Sequence, residues 1–282
     1  MNLQWFPGHM AKTRRLMTES LKITDVAAEI LDARIPISSR NPEIDKILKN
    51  KPRIVVLNKS DMSDPEANKR WIEYFEKQGI HAIAVSCATG NGINKISEYA
   101  KRALSDKIAR DRERGINRSV KIMLCGIPNV GKSSFINRVA GRAVTKTGDR
   151  PGVTRGKQWL RLPSGVELLD MPGILWPKFE SSEVALHLAF TGAIKDEIMD
   201  IEELACCLIA YLKLHYPENL KSRYKLDDIT GLEDYEILEM IAAKRGFLIS
   251  GGEKDTYRAA NILIDEFRGC KLGNITLELP EQ

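Results

Sequence analysis

The chain has 282 residues, of which 43% are hydrophobic and 29% charged, with a formal net charge of +5. That balance provides enough apolar surface to offset chain entropy, so it excludes a disordered chain, and the length allows roughly two domains. The five cysteines (Cys87, Cys125, Cys206, Cys207 and Cys270) are odd in number and form no C-x-x-C pair, which excludes a disulfide scaffold and reads as reduced thiols.

Residues 9–23 read as a short amphipathic helix with Met10, Leu16, Met17 and Leu21 on one side. Val26 to Leu31 is a compact apolar strand that runs into the loop Asp32-Ala33-Arg34-Ile35-Pro36. Residues 41–50 look helical. Arg53 to Leu57 is a buried strand ending in Asn58-Lys59-Ser60-Asp61, and Asp64-Pro65 caps a helix reaching Gln78. Ile80 to Val85 is another strand, followed by a glycine-rich turn and a helix from Ile93. A charged helical connector reaches Arg114. Val120 to Cys125 is a strand, and Gly126 opens a glycine loop into a helix from Lys132. Gln158–Leu162 and Val166–Leu169 form a hairpin around Pro163-Ser164-Gly165. From Ser181 onward only helices are expected, over 182–191, 200–214, 232–244 and 255–268. Alternating strands and helices up to about residue 175 predict a mostly parallel sheet covered on both faces, followed by a small helical domain. The longest apolar run, 204–212, is far short of the ~20 residues that cross a bilayer. The first residues lack the basic region and cleavage site of a signal peptide. A cytoplasmic protein with no membrane partner, monomeric when free, is expected.

Charge is laid out unevenly. Residues 101–121 carry eight cations against three anions, and residues 138–161 carry seven against one. Residues 180–240 carry five cations against fourteen anions. Two basic runs and a basic N-terminal segment (Lys12, Arg14, Arg15 and Lys22) favour a nucleic-acid partner over a merely solvated face.

Gly126-Ile127-Pro128-Asn129-Val130-Gly131-Lys132-Ser133 fits G-x-x-x-x-G-K-S/T. Such a loop turns backbone N–H groups, here from Asn129, Val130, Gly131, Lys132, Ser133 and Ser134, toward phosphate oxygens at a helix N-terminus. Lys132 would reach the β- and γ-phosphates, and the Ser133 hydroxyl would bind Mg²⁺. Asn58-Lys59-Ser60-Asp61 follows a buried strand, where open α/β sheets bind ligands. Asp61 can accept from the ring N–H and amino group of guanine, Asn58 can tie the loop, and the Lys59 stem can cover the base. Paired with a phosphate loop, this points to GTP and away from ATP. Asp170-Met171-Pro172-Gly173 ends another strand. Asp170 is placed to hold the metal through water, and the Gly173 N–H to sense the γ-phosphate. Thr154 would complete the Mg²⁺ shell, with Thr145 and Thr147 as competitors. Ser86-Cys87-Ala88 can present a backbone N–H to the guanine keto oxygen.

These motifs resemble those of a Ras-like GTPase in permuted order, with the base-reading stretches ahead of the phosphate loop. Together with Trp5-Phe6-Pro7-Gly8-His9-Met10, Asp32-Ala33-Arg34-Ile35-Pro36 and Asp170-Met171-Pro172-Gly173-Ile174-Leu175-Trp176-Pro177, the chain resembles the circularly permuted GTPases of the YlqF/YawG group. The resemblance implies a permuted Ras-like P-loop domain over 1–178, with an N-terminal segment 1–22, and a helical domain contacting ribosomal RNA over 179–282. It implies GTPase activity, GTP/GDP and Mg²⁺ as ligands, and a role in late assembly of the large ribosomal subunit, which stimulates hydrolysis. Ile174 stands where Ras-like enzymes usually place a water-orienting glutamine, and the resemblance nominates His9 as the catalytic group instead. It also nominates Asn129 as a potassium ligand. In the acidic helical domain the expected RNA contacts are Lys244, Arg245, Lys254, Arg258, Arg268 and Lys271. His81, His187 and His215 read as structural. Because the 170–177 loop leads straight into the helical domain, nucleotide state is expected to re-aim that domain. A GTP switch regulated by a protein partner, away from the ribosome, is the competing reading.

Overall fold

The computed structural model describes residues 7–49, 51–141, 158–173, 175, 181–194 and 200–280, without the side chains of 7–12 and 158. Two compact units divide the chain. The first comprises 1–180 together with 278–282, and the second 181–277.

The first unit is built on six strands: β1 (Val26–Asp32), β2 (Arg53–Asn58), β3 (His81–Ala84), β4 (Val120–Cys125), β5 (Gln158–Arg161) and β6 (Val166–Asp170). Their order is β3-β2-β1-β4-β6-β5, and every neighbouring pair is parallel except β5 with β6. The parallel strands are mostly apolar because both faces are covered, with single charged residues such as Glu29, Lys121 and Glu167 among them. All seven residues of β1 are buried, Glu29 among them. On one face Ala27, Met123, Cys125 and Leu169 pack with Met17 of α1 (Pro7–Leu21) and with Ile44 and Leu48 of α2 (Pro42–Leu48). Toward the sheet edge Leu31, Val55 and Leu57 pack with Trp71 and Phe75 of α3 (Pro65–Lys77). The intervening positions Ala28, Ile30, Ile54, Val56, Ile122 and Leu124 are equally buried on the other face.

Helix starts follow their capping chemistry. Asp64 accepts from the Glu66 and Ala67 N–H groups, with Pro65 at the first helical position, and Asn41 accepts from Glu43 ahead of α2. The connector expected as one helical run to Arg114 is divided into α4 (Ile96–Arg102) and α5 (Ser105–Glu113). A further helix, α6 (Lys132–Ala140), starts directly from the glycine loop.

The second unit holds α7 (Ser182–Phe190), α8 (Ile201–His215), α9 (Pro217–Tyr224), α10 (Asp234–Arg245) and α11 (Thr256–Arg268). The apolar run near 204–212 is the buried stripe of α8, against which the other four pack. Helix α9 escapes a reading from periodicity because it is short and polar and opens on Pro217, which looks like a break. The helical domain was expected to run to residue 282, but the chain rejoins the first unit at Glu278. There the Glu278 carboxylate accepts from the Ile37 and Ser38 N–H groups at 2.7 and 3.0 Å. Its carbonyl accepts from the Trp71 indole at 3.0 Å.

Several cations expected to face RNA also make contacts within the second unit. Arg245, together with Arg223, clamps the buried carboxylate of Glu266. Arg268 donates to the carbonyls of Ala189 and Phe190 at the end of α7, and Arg258 lies 4.5 Å over the Phe247 ring. A protein interior tolerates a carboxylate or an open helix end only when it is satisfied in this way. Lys244 and Lys254 make exposed pairs with Asp227 and Glu239.

Candidate nucleotide site

Because β2, β3, β4 and β6 run parallel, the loops leaving their C-terminal ends emerge at one edge of the sheet. Those loops are 58–61, 85–90, 126–131 and 171–173. The chain turns from the β1-β2-β3 side to the β4-β6 side next to β1, so the glycine loop opens where the strand order reverses.

The glycine loop needs its glycines. Gly126 has φ 147° and Gly131 φ 90°, and an added Cβ would meet the Ile30 carbonyl oxygen at 2.4 Å or the Asn58 Nδ2 at 2.4 Å. Asn129 also sits in the left-handed region at φ 62°. Gly131 caps α6 without a side chain of its own, so the first N–H groups of the helix, at Lys132, Ser133 and Ser134, point out of the helix end. Lys132 is buried and donates to the carbonyls of Gly126 and Ile127 at 3.1 and 2.8 Å. Burial pushes its ammonium down to about 8, while the carboxylate of Asp170 works in the opposite direction. Asp170 is itself buried at the end of β6. Gly173 lies so close that a Cβ there would meet the Lys132 Nζ at 2.9 Å.

Asn58 ties the loops together. Its amide donates to the Val130 carbonyl at 2.8 Å, and its oxygen accepts from the Cys87 N–H at 3.3 Å. The Ser60 N–H donates to the Val85 carbonyl, holding 58–61 against the end of β3. Asp61 is half-buried beside Cys87, whose thiol is pushed up to about 12 by burial and then by the Asp61 charge. Ser86 is buried, with its hydroxyl accepting from the Thr89 N–H at 3.0 Å.

One contributor, Asp32, escapes the sequence reading. Lys59, at φ 62°, places its ammonium 2.9 Å from the buried carboxylate of Asp32, the last residue of β1. The same carboxylate takes the Arg34 guanidinium at 2.8 Å. Burial alone would raise the Asp32 carboxyl, but Arg34 and Lys59 hold it well below the usual carboxylate range. No local pattern in the sequence signals this contact; it follows from the pairing of β1 with β2, which brings Asp32 beside Asn58 in register.

The donor set suits a small hard cation. Among the described residues no group of three or more His, Cys, Asp or Glu side chains could cage a metal. One hydroxyl, Ser133, and one buried carboxylate, Asp170, beside a phosphate loop fit Mg²⁺, which keeps waters and shares phosphate oxygens. Thr154, Ile174, Trp176 and Pro177 lie outside the described residues. His9 lies on α1, and its side chain is outside them too. The remaining histidines keep structural company: His81 pairs with Glu76 at 3.1 Å, His187 is buried near Phe190, and the His215 ring lies 4.5 Å from that of Tyr211. Among the described residues no helix is long and apolar enough to cross a membrane.

A family model described as "50S ribosome-binding GTPase" matches residues 121–244. The chain is 48% identical over its whole length to "Ribosome biogenesis GTPase A" of Priestia megaterium, covering 98% of that protein. It is 31% identical to the protein of the same name from Thermotoga maritima, with 99% of this chain and 95% of that one aligned. Among solved structures, a GDP-bound YlqF superposes with a TM-score of 0.65 at 26% identity, over 95% of this chain and 100% of the other. A GNP-bound YlqF from T. maritima gives 0.64 at 26% identity, over 96% and 99%.

Proposed function

Because the chain belongs to the ribosome biogenesis GTPase A family and is a GTP hydrolase of ribosome biogenesis, we infer that it acts late in assembly of the large ribosomal subunit. In this reading it binds ribosomal RNA in the cytoplasm, and the subunit stimulates its conversion of GTP to GDP and phosphate. The observation that carries the reading is the convergence of the 58–61, 86–88, 126–134 and 170–173 stretches at one edge of one sheet, within a chain 48% identical to relatives named for that process.

The proposed roles combine the motif spacing with the contacts around the glycine loop. Asp61 accepts from the guanine ring N–H and amino group. With the Cys87 N–H engaged by Asn58, the Ala88 N–H is the donor for the keto oxygen. Lys59, braced by Asp32, lays its stem along the base. The N–H groups from Asn129 to Ser134 surround the phosphates, Lys132 neutralises the β- and γ-phosphates, and the Gly173 N–H contacts the γ-phosphate. Ser133, Thr154 and, through water, Asp170 hold Mg²⁺, which offsets phosphate charge during transfer. Ile174 cannot hydrogen-bond a water, so His9 orients the nucleophile. Asn129 holds a potassium ion beside the phosphates, supplying charge that an arginine finger supplies elsewhere.

The test is GTP turnover in potassium buffer with purified large subunits, with small subunits, and alone. A large rise with large subunits only supports the reading. Turnover unchanged by either, with guanine nucleotide still bound, replaces the ribosomal activator with a protein partner.

A further inference from the structure

A cavity of about 450 Å³ opens in the first unit, well away from the nucleotide motifs. Asp25 and Val120 on its wall stand at the N-terminal ends of β1 and β4, whereas Asn58, Gly126 and Asp170 follow or end strands at the opposite edge of the sheet. Its walls come from α4, α5, the 116–120 loop and the turn between β5 and β6. That turn is held to α4 by the Ser97 and Ser164 hydroxyls, 2.8 Å apart.

Five cations line this groove (Lys101, Lys107, Arg112, Arg118 and Arg161) against Asp25 and Asp111. The two carboxylates brace the walls. Lys107 reaches Asp25 at 2.7 Å, and Arg118 reaches Asp111 at 3.0 Å and Asp25 at 3.6 Å. Arg161 lies 3.4 Å from Glu167 yet remains 78% exposed. Lys101 and Arg112 are exposed and have no carboxylate within ion-pairing distance among the described residues. The cations come from four separate segments, two helices, a loop and a hairpin. Such a layout suits a repeating line of negative charge better than a single small anion. In the second unit, by contrast, Arg245 pairs with Glu266 and Arg268 with the carbonyls ending α7, and residues 181–240 are strongly acidic.

We propose that this groove seats a phosphodiester backbone of ribosomal RNA, with Lys101 and Arg112 as the phosphate-contacting cations. The assignment rests on the large-subunit reading and adds the surface that meets the RNA. Contacts of this kind are sequence-independent and release counterions. The two cations lie on the edge opposite the nucleotide, so changing them leaves GDP affinity and basal hydrolysis intact.

The experiment measures binding of the full chain to purified large subunits, and separately to protein-free large-subunit RNA, across a potassium chloride series. The wild-type chain is compared with the Lys101→Gln/Arg112→Gln double variant and with Lys69→Gln, which changes an exposed lysine paired to Glu66 on α3. The double variant is expected to lose roughly 1.8 from the magnitude of the log–log salt slope and to bind roughly 10- to 100-fold more weakly near 0.1 M salt. Lys69→Gln is expected to match wild type. A steep wild-type slope that the double variant keeps unchanged overturns the groove while leaving the ribosomal reading standing. Binding to free RNA but not to subunits, still weakened by the double variant, upholds the groove and removes the assembled subunit as partner. Failure of the wild type to bind either one overturns both.

Discussion

The Asn58 side chain donates to the Val130 carbonyl at 2.8 Å, across 72 positions of chain, so a residue of the base-reading loop fixes the shape of the phosphate loop. Its other end accepts from Cys87. Asn58→Ala leaves a carbonyl and an N–H without partners, a loss of about 1–3 kcal/mol. Guanine nucleotide affinity is expected to fall roughly 5- to 150-fold, read by fluorescent GDP titration. Gly131→Ala, which drives a Cβ into the Asn58 amide at a φ of 90°, is expected to weaken GDP at least as much while far-UV circular dichroism is retained.

Base selectivity is expected to follow Asp61. Asp61→Asn replaces a two-fold acceptor with a side chain that also donates, which mismatches the guanine amino group and suits the 2-oxo group of xanthine. Competition between GDP and xanthosine diphosphate is expected to shift toward the latter by roughly tenfold or more. An unchanged preference would place the base elsewhere.

Hydrolysis separates two groups. His9→Ala is expected to lower subunit-stimulated turnover by roughly 10²-fold or more with GDP affinity unchanged, as for loss of a positioned general base. Exchange of potassium for sodium is expected to slow turnover. A folded His9→Ala protein with full stimulated activity would clear His9 of the role.

Glu29 predicts a pH dependence of stability. It is fully buried in β1 between Arg53 at 3.3 Å and Arg40 at 3.7 Å, and burial raises its carboxyl to about 7 despite those cations. The folded chain therefore holds this proton more tightly than the unfolded chain, whose carboxyl titrates near 4.5. Between those values the folded state binds more protons, so its contribution is present below pH 4.5 and is lost as pH rises through 7. The fall is at most about 1.4 kcal/mol per pH unit. Urea melts from pH 5 to 8 are expected to show a component of falling stability that disappears in Glu29→Gln.

The attachment at Glu278 is also testable. Glu278→Ala removes the acceptor of the Ile37 and Ser38 N–H groups. The expected loss is about 1–3 kcal/mol, with a lower melting temperature for the first unit.

Much of the phosphate side was legible because its chemistry demands particular residues at fixed spacing. Gly126, Gly131 and Lys132 were placed from the sequence, and the structure adds the backbone angles and close approaches that demand glycine. The elements of the sheet were equally readable, since Val26–Leu31 and Arg53–Leu57 are compact, mostly apolar runs bounded by polar turns. Other features depended on tertiary contacts that carry no local pattern. The grip of Asp32 on Lys59 requires knowing that β1 and β2 are neighbours. The contacts of Arg245 and Arg268 require knowing where Glu266 and the end of α7 lie, which counting charges along the chain does not show. Periodicity missed α9 because its apolar face is only Leu220 and Tyr224.

The return of the chain at Glu278 sets an order of events during synthesis. Trp71 and the Ile37–Ser38 turn are made early, yet the group that satisfies them is translated only after residues 181–277. The nucleotide-binding unit can therefore collect most of its contacts while the chain is still growing, but its final closure waits until the helical unit has left the tunnel. A nascent chain arrested between the two is expected to be a nearly complete GTPase with an indole N–H and two backbone donors still facing water.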